Sequence, residues 1–428
     1  MYDLIVIGAG WAGFSAAEYA SKGGLKTALI EKDALGGTCL NYGCIPTKTL
    51  LHSAKLFSQI KKSVKFAINT DTPSIDLLQL NKRKEEIVNK LKSGLDFLVT
   101  ANKIDLIKAE AEIISPNKVK VEDNVLEAKY ILIATGSRPQ ELPRIKFDGQ
   151  KVISSKEALE LSFLPKNILI IGGGVIGCEF AEFFVSLGSQ VELVELTGGL
   201  LPGTDKEIAK KLEASFKKKG VKVLLNTDAA ALDFKDYDKA LLCVGRTPES
   251  ACLGGVVINK ERSKIAVNEY LQTSIPNIYA AGDCIGGYFL AHVASYEGRL
   301  AVKNICKNNT EKADYKAVPL GIFTNPEIAA VGLNEEEAGK KYAGIKIKKF
   351  DFRSLGMSHI LDETEGFIKV ITDNEENILG ASIIGPRATE IIHVLTVAIN
   401  NSLKVNQLRD TIFAHPTVSE GIAEALLH

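Results

Sequence analysis

No excess of either charge marks this 428-residue chain: Lys plus Arg and Asp plus Glu stand level at 52 each. That balance excludes the broad basic surface that draws nucleic acid and the acidic bias that draws cationic partners. Long hydrophobic runs are absent too. Stretches such as Ile168–Ile171 fall far short of the roughly 20 residues a helix needs to cross a bilayer, so neither nucleic acid nor membrane is expected as a partner. Nor is a secretory leader expected at the start. Met1 leads almost at once into the apolar Leu4–Ile7, with no basic segment, apolar core and small-residue cleavage site in order. A cytoplasmic protein is expected.

A clustered cysteine framework is also missing. Cys39, Cys44, Cys178, Cys243, Cys252, Cys284 and Cys306 are an odd set spread over a large chain, unlike the disulfide scaffolds of small secreted proteins. Only Cys39 and Cys44 lie close together. In a reducing compartment such a pair is more often catalytic or metal-binding than structural. No second Cys/His cluster stands nearby to complete a metal site, so no metal is expected and redox chemistry leads; the bland alternative is two buried thiols that never react. The length implies two to four domains.

What is present is a repeated nucleotide-binding pattern. Tyr2–Glu31 reads as a strand, the turn Gly8-x-Gly10-x-x-Gly13, a helix over Phe14–Ser21, a strand over Thr27–Ile30 and then the acid Glu31. The first glycine makes the turn, the second lets a pyrophosphate approach the backbone, and the third brings helix against strand. Glu31 stands where it accepts hydrogen bonds from a ribose 2′-OH. A second copy runs from Asn167: strand Ile168–Ile171, Gly172-x-Gly174-x-x-Gly177, helix Cys178–Leu187, strand Gln190–Val194 and Glu195. Two complete copies make chance a poor account of either. An NADP site needs a cation for its 2′-phosphate, whereas Glu195-Leu196-Thr197-Gly198-Gly199 offers a carboxylate, so NAD is favoured. Strands at Ile131–Ala134 and Leu241–Val244 lead into Gly136 and Gly245, paired exits that suit cofactor contact.

The thiols sit in Gly36-Gly37-Thr38-Cys39-Leu40-Asn41-Tyr42-Gly43-Cys44-Ile45-Pro46-Thr47-Lys48. On a straight helix an offset of five residues is ~7.5 Å of rise and about 140° of rotation, or Cα atoms roughly 8.6 Å apart; a disulfide needs less than about 7 Å. Closure therefore requires a distorted helix start, for which Gly36, Gly37 and Gly43 supply the freedom. Thr47–Ile60 has helical character, so Cys44 lies near a helix N-terminus that stabilises a thiolate.

On Gly36–Lys48, both glycine fingerprints, Ala281-Gly282-Asp283, Leu290-Ala291-His292, Thr324-Asn325-Pro326-Glu327 and His415-Pro416-Thr417-Val418-Ser419-Glu420, the chain resembles the dithiol–disulfide flavoprotein family, and within it the dihydrolipoamide dehydrogenase branch. The resemblance covers nearly the whole length. It implies an α/β fold with two Rossmann-like dinucleotide-binding domains and a C-terminal α/β dimerisation domain. The expected divisions are 1–148 for FAD with the redox disulfide, 149–250 for NAD, 251–317 as a return segment completing the FAD site, and 318–428 for dimerisation. It further implies FAD contacts from Gly8, Gly10, Gly13, Glu31, Gly37, Thr38, Lys48, Gly136, Asp283 and Ala291, and NAD contacts from Gly172, Gly174, Gly177, Glu195 and Gly245.

By the same resemblance Cys44 faces the flavin, Cys39 exchanges with substrate, and Lys48 pairs with Glu179. His415, held by Glu420, carries protons from the partner subunit of a homodimer. A His has the pKa for that task and a carboxylate orients it. His292 is expected near the cofactor; His52, His359, His393 and His428 are read as structural or surface. Asn325-Pro326 and His415-Pro416 are expected to be cis. The implied substrate is a lipoyl group on a carrier protein or free lipoamide, in a 2-oxo acid dehydrogenase or glycine-cleavage complex.

Rivals are a glutathione disulfide reductase, against which Glu195 speaks, a mercuric reductase, for which Ala423–His428 has no thiol pair, and a flavin-bound structural subunit. Three features depart from the family pattern: a short link at residues 226–240, Tyr42 between the cysteines, and Trp11 after Gly10. The two rings are expected to affect access to the flavin or pyrophosphate.

Overall fold

A computed structural model of the protein describes residues 1–427, so the reading of His428 lies outside the described residues. Strand β1 (Tyr2–Ile7) is buried from Leu4 to Ile7, the unbroken apolar run expected of a parallel strand covered on both faces. It pairs in parallel with β2 (Thr27–Glu31) through the crossover helix α1 (Trp11–Lys22). After β2 come α2 (Gly37–Tyr42), α3 (Cys44–Ile60) and the long α4 (Leu77–Ala101). Strands β3 (Asp105–Lys108), β4 (Ala111–Ser115), β5 (Lys118–Val121) and β6 (Asn124–Ile133) then complete the order β3-β2-β1-β6-β5-β4, the last three as an antiparallel meander.

The second unit is wholly parallel. Strands β7 (Val152–Ile153), β8 (Asn167–Ile171), β9 (Gln190–Val194), β10 (Lys222–Leu224) and β11 (Lys239–Leu242) lie in the order β10-β9-β8-β11-β7, with α5 (Val175–Leu187) after β8 and α6 (Lys206–Lys218) after β9. Between β10 and β11 the chain makes one short helical turn at Ala229–Ala231 and no strand, so the link expected to be short is so. Strand β11 stops at Leu242 rather than continuing to Val244, because the Cys243 carbonyl turns in against the Gly172 turn: a Cβ on Gly172 would lie 2.5 Å from it. Helices α1 and α5 also start earlier than the sequence pattern suggests. Gly10 and Gly174 are their N-caps, and Gly13 and Gly177 lie inside their first turns.

The chain then returns to the first unit, where β12 (Ile278–Ala280) pairs in parallel with β6. Helix α7 (Ala291–Lys307) crosses α1 so closely that a Cβ on Gly298 would stand 2.1 Å from the Ala12 carbonyl oxygen. The last unit is an antiparallel sheet of β13 (Pro319–Ile322), β14 (Glu327–Gly332), β15 (Ile345–Asp351), β16 (Phe367–Asp373) and β17 (Ile378–Gly385), in the order β13-β14-β17-β16-β15. Helices α8 (Ala388–Asn400) and α9 (Glu420–Leu427) close its core. Asn325-Pro326 and His415-Pro416 are both cis. No helix among the described residues is long and apolar enough to cross a membrane.

One apolar cluster joins all three units: Leu50, Leu51 and Phe57 of α3 share a core with Phe180 and Phe184 of α5 and with Ile322, Ile328, Phe367 and Ile384 of the C-terminal sheet. Beside it, Lys369 of β16 is 3 % exposed and reaches Asp205, 2 % exposed, at 2.9 Å. Asp205 also caps α6 through the Glu207 and Ile208 N–H groups. Removing one member of a buried pair leaves an uncompensated charge. Lys369→Met is therefore expected to cost about 3–5 kcal/mol in urea unfolding, and Lys369→Met/Asp205→Asn, which keeps a capping oxygen, to recover most of it.

Candidate active site

The two glycine turns are built alike. Gly8 (φ +100°) and Gly172 (φ +110°) occupy the left-handed side of the map, and a Cβ on either would collide with the strand exit beside it, at Ala134 or Cys243. A Cβ on Gly13 or Gly177 would fall 1.8 or 1.9 Å from the carbonyl oxygen of Gly8 or Gly172, the close helix–strand contact the third glycine exists to allow. At Gly10 and Gly174 a Cβ would meet nothing within 4 Å. No side chain caps either helix there, so each first turn offers free N–H groups and a positive dipole end to open space, a ready anion site.

The two acids close these turns symmetrically. Glu31 accepts the Ala9 N–H at 2.6 Å and the Asp33 N–H at 2.8 Å; Glu195 accepts Gly173 N–H at 2.7 Å and Thr197 N–H at 2.8 Å. Carboxylates have further lone pairs for a sugar hydroxyl. Gly136 and Gly245 lie at the neighbouring exits, where Ser137–Pro139 pairs with Arg246–Pro248 in a two-stranded ribbon. That ribbon was not legible in the sequence. Through it Ser137 donates to Asp283, while Arg246 Nε donates to Ser137 Oγ at 2.7 Å. Glu297, another residue missed, accepts Gly282 N–H at 2.7 Å and the Tyr315 hydroxyl at 2.8 Å, holding the Asp283 turn from behind. Ala291 opens α7 beside it. His292 does not stand free: its Nε2–H donates to the Pro319 carbonyl at 2.8 Å.

The distorted helix start expected around the thiols is a clean break. Gly36 and Gly37 have φ of +91° and +56°; α2 carries Thr38 and Cys39, Gly43 interrupts it, and α3 restarts at Cys44. Cys39 is half-buried and Cys44 exposed. The adjoining Cys44, together with partial burial, pushes the Cys39 thiol up. Cys44, which is exposed, is lowered to about 7 by the adjoining Cys39 thiol, with Lys48 also lowering it, against partial desolvation and the neighbouring Glu179 carboxylate. Lys48 pairs with Glu179 at 2.8 Å, the pairing the resemblance implied. Phe323 was not foreseen: its N–H donates to the other Glu179 oxygen at 3.1 Å and its ring lies 4.9 Å from Lys48 Nζ.

Tyr42 turns elsewhere. Its hydroxyl donates to Asp33 at 3.3 Å, Lys156 lies 4.2 Å from its ring, and it lines a cavity of about 180 Å³ against α4. Its ring therefore does not gate the thiols. His415 and Glu420 come together, Nδ1 to Oε1 at 3.0 Å, on a side chain 79 % exposed; Glu420 is within this chain the only hydrogen-bond partner of that ring among the described residues. No cluster of His, Cys, Asp and Glu fit for a metal occurs among the described residues.

The profile of the pyridine nucleotide-disulphide oxidoreductases matches residues 2–298, and that of their dimerisation domain residues 318–426. The chain belongs to this family. A dihydrolipoyl dehydrogenase of Chlamydia pneumoniae is 39 % identical over all of this chain and 96 % of its own, and one of Bacillus subtilis is 38 % identical over 99 % and 98 %. Among solved structures, the flavoprotein disulfide reductase RclA of Escherichia coli superposes with a TM-score of 0.88 at 30 % identity, and LpdA of Mycobacterium tuberculosis with 0.92 at 27 %; each covers 99 % or more of both chains.

Oxidoreductases of this family use FAD and NAD(H), and two open, uncapped helix starts beside a glycine turn fit two dinucleotides. Two outcomes follow from the geometry. Site-resolved alkylation of the reduced protein should show Cys44 reacting with a midpoint near 7, its thiolate present above that pH, and Lys48→Met should move the midpoint upward. NADPH should be used roughly a hundredfold or more less well than NADH in kcat/KM, since a 2′-phosphate bound at this turn would meet the like charge of Glu195, and Glu195→Lys should narrow the gap.

Proposed function

We propose that the protein is a dihydrolipoyl dehydrogenase, oxidising dihydrolipoyl groups with NAD⁺. The observation that carries this reading is the Cys39/Cys44 pair brought together at the broken helix start, with Cys44 lowered to about 7 beside Lys48. The relatives at 38–39 % identity over nearly full length name the dithiol. The division into an FAD unit (1–148), an NAD unit (149–250), a return segment (251–317) and a dimerisation unit (318–428) is part of the proposal.

In the oxidised protein Cys39 and Cys44 share a disulfide. A substrate thiolate attacks Cys39 Sγ, the Cys39–Cys44 bond breaks, and Cys44 leaves as a thiolate, which the α3 N-terminus and Lys48 stabilise. The second substrate thiol then displaces Cys39. FAD, when bound, carries the electron pair onward to NAD⁺. Lys48, Gly37, Thr38, Gly136, Asp283 and Ala291 are the proposed contacts for it, together with Gly8, Gly10, Gly13 and Glu31; Gly172, Gly174, Gly177, Glu195 and Gly245 would hold NAD.

His415 is the proposed proton acceptor, working across a homodimer. Its exposure suits a side chain that completes the partner's site, and Glu420 fixes its tautomer by accepting from Nδ1, leaving Nε2 to take the proton. The scattered cysteines fit a reducing, cytoplasmic setting. The lipoyl group would be free or borne by a carrier protein of a 2-oxo acid dehydrogenase or glycine-cleavage complex.

Purified protein is expected to form NADH from dihydrolipoamide and to leave glutathione disulfide essentially untouched. Cys44→Ser should abolish the reaction and His415→Gln should slow it roughly 10²–10⁴-fold, the usual contribution of a positioned general base. Turnover with glutathione disulfide instead, or a Cys44→Ser protein as active as the parent, would refute the proposal.

A further inference from the structure

Among the described residues the chain buries two lysines, Lys369 and Lys84. Lys369 has Asp205 and Glu335 to answer its charge. Lys84, on α4 and 6 % exposed, has no carboxylate paired with it among the described residues. Its Nζ donates to one acceptor, the Leu159 carbonyl, at 2.6 Å. About one helical turn earlier, Asn81 donates to the Leu161 carbonyl at 2.9 Å, so α4 grips the chain just beyond the short turn Ser155–Ala158 at two points. Lys84 also lines the cavity of about 180 Å³ that Tyr42 borders, together with Asn89 and Lys156. Lys156 Nζ lies over the Tyr42 ring and likewise pairs with no carboxylate among the described residues.

For an amine held out of water without a counter-ion, the charged form is the costly one. Burial accordingly pulls the Lys84 amine below the usual lysine range, against the opposite pull of Glu85 and Glu160. Those two carboxylates also line the cavity but are exposed, where water and salt screen them. Tyr42, its hydroxyl bonded to Asp33, is the remaining titratable group on the wall besides Lys156. A free amine has two N–H donors and a lone pair, while the fold offers it a single carbonyl. The count closes once the nitrogen bears a carboxyl carbon: one N–H remains for Leu159, and the new oxygens have the Asn89 amide and the Lys156 ammonium as donors. Size then selects the electrophile. The cavity equals the liquid share of about six water molecules, and so deeply buried a nitrogen is closed to a bulky acyl carrier but open to a small neutral gas.

We propose that Lys84 is a carbon dioxide site, its amine forming a carbamate held between the Leu159 carbonyl and Lys156. The Lys84 lone pair attacks the carbon of carbon dioxide and the N–C bond forms. One C=O electron pair moves onto oxygen, and one amine proton leaves to solvent. The product carries a negative charge, which the Lys156 ammonium answers. Because the cavity wall joins α4 to the segment at 156–160, the adduct ties the first nucleotide unit to the second.

The test exposes FAD-loaded protein near pH 8 to isotope-labelled carbon dioxide and bicarbonate, with sodium chloride of equal ionic strength as control. Carbamates are trapped by ethylation with triethyloxonium and located by peptide mapping. An ordinary lysine is about 0.4 % free amine at that pH. Lys84 should carry at least roughly tenfold more label than any exposed lysine, and Lys156→Gln should lower that label severalfold. Carbon dioxide should also raise the Tm of the parent, as any ligand of the folded state does, and leave Lys84→Gln unmoved. The trapping on the parent needs no variant at position 84.

The Met1 amine serves as internal positive control. Label there with none at Lys84 would overturn the proposal. So would a Lys84 labelled no more than the exposed lysines, or a label on Lys84 indifferent to Lys156→Gln.

Discussion

The Glu179 carboxylate is the constraint from which the rest of the site follows. It is 3 % exposed, and a carboxylate out of water must have its charge and lone pairs answered. The answers come from outside its own unit: Lys48 from α3 of the first, the Phe323 N–H from the C-terminal one. Because Glu179 stands two residues after the glycine that seats α5 against β8, its position relative to the second dinucleotide turn is set by backbone packing. Lys48 is four residues, a little over one helical turn, beyond Cys44. The ion pair therefore registers the thiols of one unit against the turn of another, and the apolar cluster around Leu50, Phe184 and Ile322 makes that register stiff.

The same chain shows what a cysteine does without such surroundings. Burial pushes Cys243, Cys252 and Cys284 up to about 12 and raises Cys178 well above its usual value. These thiols are packing groups, hydrogen-bonded to carbonyls where they bond at all. Cys44 differs by three features: a helix begins at it, a lysine follows on the next turn, and the Cys39 thiol adjoins it. Reactivity here is a property of place, not of residue type.

Much of this was legible in the sequence, because the signals were local. The strand–glycine–helix–strand–acid order, the second copy of it, and the need for a broken helix between Cys39 and Cys44 all follow from spacings of fewer than about 30 residues, over which backbone geometry is nearly determined. Helix starts were misjudged by three residues because the second glycine of each turn is a cap and the third is already helical. The pairing of Lys48 with Glu179 came from family resemblance, since nothing in the two segments by themselves links residues 131 apart.

By itself the sequence determined the chemistry available: two glycine turns at helix starts, two thiols able to close, an acid beside each of those turns, and a His–Glu pair near the end. Only the tertiary structure decided how those groups face one another. Phe323 on Glu179, Glu297 behind Asp283, Arg246 on Ser137, and Tyr42 turned toward Asp33 and Lys156 are contacts between segments far apart along the chain or on surfaces with no periodic signature. Such contacts are settled by which side chains share a cavity once the sheets have packed, and sequence spacing carries no record of that.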